Sequence, residues 1–200
     1  MTGRYGRPRG DARREQILDV ALKTFAENGF RGASLADIAT NCGLSQPGLL
    51  HHFASKTELL AAVLQRRDEI DARRMEFDGR LSGVAALERL VQLVEYNAHL
   101  PGLVRLFTVV TGEAVTIDHP AHEWVVGRYR MLETWLVRAL DDGIADGAIR
   151  PDTDTAALAR QVFAMMDGLQ LQWLLDPEQV DMPKLFRAYI TQVTSAIAAG

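Results

Sequence analysis

The chain has 200 residues, 48% hydrophobic and 24% charged, proportions of an ordinary globular protein with room for a sizeable core in one or two domains. Its one cysteine, Cys42, excludes an internal disulfide and fits a reducing cytoplasm. Net charge is −4, yet residues 1–56 carry +3 and the remainder −7, so an acidic body bears one basic, anion-seeking end.

Residues 1–10, MTGRYGRPRG, combine Gly and Arg without periodicity. A flexible basic arm on phosphates and a solvated tail both fit this composition. No apolar run follows the arginines, so no secretory signal is expected. Residues 11–28 repeat apolar side chains at Ile17, Leu18, Ala21, Leu22 and Phe25, the stripe of an amphipathic helix that Asn28-Gly29 stops.

Residues 34–60, SLADIATNCGLSQPGLLHHFASKTELL, organise the rest. Ser34 caps a short helix, with Asp37 at the positive end of its dipole and Leu35, Ile38 and Ala39 on one face. Gly43 ends it in the left-handed conformation. Ser45 caps a second short helix with Pro47 in its first turn, anchored by Leu49, Leu50 and Phe53. Ser55 and Glu58 form a capping box opening a longer helix to about residue 77. Helix, tight turn, helix is the arrangement whose second helix enters the DNA major groove. The charge run Arg66 to Arg74 on the longer helix reads as a solvated face.

Everything beyond Gly79 is helical by pattern, with helices expected at about 82–99, 101–115, 120–146, 154–175 and 182–198. Residues 103–117 are interrupted by Arg105 and Glu113, so no membrane span is expected. His119 and His122 share a metal-like spacing, but Pro120 stands between them and a loop before a helix fits better. No nucleophile elbow, P-loop or dinucleotide motif occurs, so neither a metal, a cofactor nor an enzyme activity is expected.

The residues resemble the TetR family of bacterial transcriptional regulators. Its first-helix ending appears as Phe25-Ala26-Glu27-Asn28-Gly29-Phe30, its next helix as residues 34–39, its turn as Gly43-Leu44-Ser45 and its closing motif as His52-Phe53-Ala54-Ser55-Lys56. Asp167 to Trp173, followed by Leu174-Leu175-Asp176-Pro177, is similar to the family's penultimate helix. The resemblance implies an all-α homodimer whose last two long helices pair with the partner's as a four-helix bundle, and whose body encloses an effector pocket. It departs at Gly48 and Leu50, where many members carry a polar residue and a tyrosine.

The expected organisation is therefore a basic arm over residues 1–10, a helix-turn-helix domain over 11–55, and a ligand-binding and dimerising bundle over 56–200. Gln46 and Ser45, at the recognition helix's N-terminus, are the candidates for base contact, with His51 further along and Gly48 on the DNA side. Arg31, Ser34 and Lys56 are placed for the phosphate backbone. Lys56 stands out because a cation in a helix's first turn opposes the dipole. In the body, polar residues among aromatics suggest a ligand site, with Leu93, Asn97, Phe107, Thr111, Trp124, Trp135, Met166 and Gln170 as candidate lining. Residues 156–175 and 182–198 carry the expected dimer helices. The function expected is a cytoplasmic regulator, a repressor of a palindromic DNA operator released by a small-molecule effector. The alternative is a helical small-molecule-binding protein or enzyme whose head contacts protein.

Overall fold

Capping chemistry sets the helix boundaries. The structure is a computed structural model describing residues 9–75 and 81–199. Among these residues nine α-helices form and no strand, apart from one isolated bridge between Ile149 and Ala198. The head comprises α1 (Arg9–Gly32), α2 (Leu35–Asn41), α3 (Gln46–His52) and the start of α4 (Lys56–Met75). The body comprises the rest of α4 with α5 (Val84–Asn97), α6 (Pro101–Glu113), α7 (His122–Ala145), α8 (Thr155–Leu175) and α9 (Met182–Ile197). The all-helical head and bundle expected from periodicity are what form. Of the expected arm, residues 9 and 10 already belong to α1 and residues 1–8 lie outside the described residues. No helix among the described residues is long and apolar enough to cross a membrane.

The side chains read as caps act as caps. Ser34, Ser45 and Ser55 Oγ accept from the N–H groups of Asp37, Gly48 and Glu58 at 3.3, 3.2 and 3.0 Å. Glu58 returns a bond by accepting from Ala54 N–H at 2.8 Å, one residue before the cap. Gly43 has φ of 68°, and the N–H groups of Gly43 and Leu44 close α2 onto the carbonyls of Thr40 and Ala39.

At Gly29 the helical geometry of α1 breaks, with φ of 66° and ψ of 179°, before a last turn to Gly32. The break releases the N–H of Phe30, which donates to Glu113 Oε2 on α6 at 2.7 Å. A Cβ at Gly29 would lie 2.4 Å from Glu113 Oε1. The stop is thus also a seat for a carboxylate from the body.

Two apolar cores result. The first joins Ile17, Phe25, Ile38, Leu49, Phe53 and Leu60 of the head to Leu106, Val110 and Val125 of α6 and α7. The second joins Leu90, Leu136, Phe163 and Phe186 of α5, α7, α8 and α9. Packing therefore runs through residue 55 without a gap, and α6 carries body side chains into the head's core.

The apolar residues of the two expected dimer helices divide between core and surface. Val162, Met166 and Leu169 of α8, and Phe186 and Ile190 of α9, are buried in their own subunit's core. Ala164, Met165, Leu171 and Leu175 of α8 and Leu185 of α9 are exposed. Helical spacing alone did not separate the two faces because both are apolar.

Gly29→Ala is expected to destabilise the protein by roughly 1–3 kcal/mol, since a left-handed φ is costly for alanine and the new methyl displaces Glu113. Urea unfolding measures it, and an unchanged midpoint would contradict the seat at Gly29.

Candidate functional site

The recognition helix α3 is held from beneath and bare above. Leu49 is fully buried, and Phe53, its C-cap, is 1% exposed. Arg14 of α1 spans this end: its guanidinium lies 4.1 Å from the Phe53 ring centroid and Nη1 donates to the His52 carbonyl at 3.0 Å. Arg13 Nη1 donates to the Cys42 carbonyl at 2.9 Å, fixing the turn between the two short helices. Two head cations counted as anion-seeking are thus committed to the fold. Burial pushes the Cys42 thiol up from its ordinary range, partly offset by Arg13, which suits a small packed residue better than a reactive thiol.

Gln46 and His51 are exposed on α3, and Ser45 is exposed at its cap. Gly48 is half-buried, and a Cβ there would sit 3.3 Å from Ser45 Oγ, so the glycine leaves the cap uncrowded. Leu50, one turn after Gln46, is half-buried. Arg31 is exposed and Ser34 half-buried beside this end. Lys56 points elsewhere: Nζ donates to the carbonyls of Ala33 and Arg31 at 2.6 and 3.2 Å and lies 4.9 Å from the Phe30 ring centroid. The carbonyls that end α1 therefore account for a cation in the first turn of α4 without a phosphate.

The body holds a cavity where α4, α5, α6, α7 and α8 meet. Its volume is about 20 Å³, room for one water. Of the candidate lining, Leu93, Asn97, Phe107, Met166 and Gln170 border it. Thr111, Trp124 and Trp135 do not: Thr111 is half-buried on α6, Trp135 packs at the edge of the body core, and Trp124 Nε1 donates to Asp68 Oδ2 at 2.7 Å. Trp124 borders a separate surface cleft with Leu60, Leu64 and Pro120.

The polar wall of the cavity is where the structure adds most. Arg67 and Asp71, read as a solvated face, are 4% and 2% exposed and border the cavity. Arg67 Nη1 donates to the Leu103 carbonyl at 2.7 Å, and its Nε lies 3.4 Å from Asp71 Oδ2. Arg128 of α7 donates through Nη2 to Asp71 Oδ2 at 2.6 Å and through Nη1 to Asp68 Oδ1. Both guanidiniums lie near Phe107, at 5.1 and 5.4 Å from its centroid. Burial, partly offset by Asp71, brings Arg67 down to about 10, so it stays charged at neutral pH. One signal was available: Arg67 and Asp71 continue the buried register of Leu60 and Leu64 along α4.

Across the cavity, Tyr129 donates to Asp167 Oδ2, and Asp167 Oδ1 is buried with no hydrogen-bond partner. Burial pushes both groups up, against the Tyr129 bond and the charges of Arg128 and Arg67 in the case of Asp167. Asn97 Oδ1 is likewise buried and without a partner. The two histidines of the metal-like pair serve separate loops: His119 Nδ1 accepts from Ala121 N–H at 3.2 Å, and a ring nitrogen of His122 bonds the Ala114 carbonyl at 2.8 Å.

A helix-turn-helix with an exposed recognition face, mounted on a helical bundle whose cavity wall includes the helix that supports it, defines a DNA-binding regulator. The comparisons agree. The profile of bacterial regulatory proteins of the tetR family matches residues 17–63, and that of the BetI-type transcriptional repressor C-terminal region matches residues 86–195. The HTH-type transcriptional repressor KstR2 of Mycolicibacterium smegmatis is 30% identical over 155 residues, covering 74% of this chain and 73% of the relative. The HTH-type transcriptional regulator TtgR of Pseudomonas putida is 27% identical, covering 84% and 83%. A TetR transcriptional regulator from Chloroflexus aurantiacus superposes with a TM-score of 0.83 at 23% identity, covering 96% of this chain and 98% of the other. A Saccharomonospora viridis regulator solved in complex with choline does so with a TM-score of 0.74 at 24% identity, covering 95% and 99%. The chain belongs to the TetR family of bacterial transcriptional regulators.

Two substitutions test the site's internal geometry. Lys56→Ala is expected to lower stability by about 1.5–3 kcal/mol, the value of hydrogen bonds to a charged group, while leaving the slope of log affinity against log salt unchanged. A slope reduced by about one would assign Lys56 to a phosphate instead. Asp167→Asn is expected to be more stable than the parent at neutral pH. A carboxyl whose folded-state pKa is raised contributes stability below its unfolded pKa and loses it as pH rises. The advantage of the asparagine therefore shrinks as pH falls towards the ordinary carboxylate range, and thermal melts at pH 4 and pH 7 measure it. An advantage that grew at low pH would contradict the burial cost assigned to Asp167.

Proposed function

We propose that this regulator is a cytoplasmic homodimeric repressor, without enzyme activity, that binds a palindromic operator and leaves it when a small molecule opens the body cavity. One observation carries the reading: Arg67 and Asp71 border the cavity and sit on α4, whose first turn closes the head. A ligand larger than a water has to part α4 from α7 and α8, and α3 rides on α4 through Leu49, Phe53 and Leu60. DNA and ligand then compete through one displacement, with coupling of about 1–3 kcal/mol felt equally by both.

At the DNA, Gln46 reads a base edge from the N-terminus of α3, and Leu50 offers an apolar contact to a thymine methyl one turn later. His51 reaches a base or phosphate further along. Ser45 uses an oxygen lone pair for its cap and keeps its hydroxyl hydrogen for a phosphate. Gly48 permits close approach, and Arg31 and Ser34 flank the backbone. Lys56 supports this face from within by ending α1. The dimer uses the exposed face of α8 with Leu185 of α9, which brings two recognition helices to two half-sites.

A gel shift with the gene's own upstream DNA is expected to give a specific complex. Gln46→Ala is expected to lose roughly 1–3 kcal/mol of discrimination at one base pair. A uniform loss across all sequences would remove Gln46 from base reading, and no specific complex would defeat the repressor reading.

A further inference from the structure

The cavity wall is unequally served. Its two guanidiniums have matched carboxylates: Arg128 bridges Asp68 and Asp71, and Arg67 lies on Asp71 and the Leu103 carbonyl. Arg67 Nε and Arg128 Nε lack hydrogen bonds, but their charges are neutralised within this network. Asp167 is different. It makes no hydrogen-bonded ion pair among the described residues: Tyr129 donates to Oδ2 only, and the charges of Arg128 and Arg67 act on it without such a contact. Oδ1 is shut from water without a donor, and two more residues of the wall, Asn97 at 1% exposure and Asp71 at 2%, each carry an Oδ1 acceptor also without one. A carboxylate oxygen shut from water without a hydrogen-bonded cation is costly, and a buried acceptor lacking a donor adds to the cost. The remaining wall is apolar, with Leu90, Leu93, Leu132, Phe163 and Met166.

From this arrangement we infer that the molecule that opens the cavity is a small organic cation bearing N–H donors, a protonated amine on an apolar stem, bound by Asp167 and Asn97. The inference rests on the proposed effector role of the cavity and narrows it to a chemical class. The ammonium gives Asp167 Oδ1 a hydrogen-bonded cation, and a second N–H meets Asn97 Oδ1. The apolar stem takes the space between Leu93, Leu132 and Met166 that the parting of α4 from α7 and α8 provides. A quaternary ammonium supplies charge but no donor and leaves these acceptors unmet. A carboxylate places like charge against Asp167 and Asp71.

Calorimetry and thermal shift on the full-length protein with matched probes test this. The probes are phenethylammonium, its N,N,N-trimethyl analogue, phenethyl alcohol and 3-phenylpropionate. The expected order places phenethylammonium at least ten-fold tighter than the trimethyl cation and the alcohol, with no binding by the anion. Asp167→Asn, which keeps the shape and the acceptor but removes the charge, is expected to weaken phenethylammonium at least ten-fold and leave the alcohol unchanged. Asn97→Leu, of similar volume, carries the same test should the first variant fail to fold, with a weakening of several-fold. Equal or tighter binding of the alcohol or the anion, or an unchanged affinity in both variants, overturns the amine class while leaving an effector cavity standing. Binding by none of the four probes also overturns it, and the gel shift with upstream DNA then decides separately whether the repressor reading survives.

Discussion

A buried network of four charges is the constraint on which the regulator's geometry depends. Arg67 and Asp71 of α4 meet Arg128 of α7 at 4%, 2% and 8% exposure, with Asp68 at the rim. Hydrophobic residues would fill that space at lower cost, because desolvating paired ions consumes much of their attraction. What the ions add is direction. They fix the rotation and axial position of α4 against α6 and α7, and removing one partner costs roughly 3–5 kcal/mol because another is left buried and alone. A helix held this way has one preferred position, which a ligand can displace but thermal motion seldom does.

From that fixed helix the head inherits its placement. Leu59, Leu60 and Val63 of α4 share one core with α1 and α3, Lys56 ends α1, and Arg66 reaches back to Glu15 and Asp19. A second strut runs from Glu113 at the end of α6 to the Phe30 N–H, seated on the Gly29 break. The head is thus tied to the body through α4 and α6, both of which border the cavity. Much of its basic charge serves these ties. Arg13 and Arg14 hold carbonyls of the helix-turn-helix, so the +3 of the first 56 residues overstates what is free to meet phosphate.

The fold was legible because its signals are local. Caps at Ser34, Ser45 and Ser55, the left-handed Gly43 and the apolar periods of the long helices are properties of neighbouring residues, and each sits where the chain pattern places it. The exposed Gln46 and His51 follow from the same local geometry. The cavity was half legible. Asn97, Phe107 and Gln170 were picked out as polar or aromatic residues in apolar helices. Arg67 and Asp71 were hidden because an i, i+4 ion pair looks the same on a wet face as in a core, and only α6 and α7 covering them tells the two apart. For Lys56 the premise of a partner for a first-turn cation holds, and the carbonyls at the end of α1, twenty-three residues away at Ala33, supply one that the local pattern does not show.

The central claim is that the ion network holds α4, and through it α3, in place. Native-state hydrogen exchange on Arg128→Met tests it most directly, because it reads local opening helix by helix. The expected result is lost protection in α4 and α3 while the core amides of α8 and α9 keep theirs. Unchanged protection in α4 and α3, or a loss spread evenly over every helix, would contradict it.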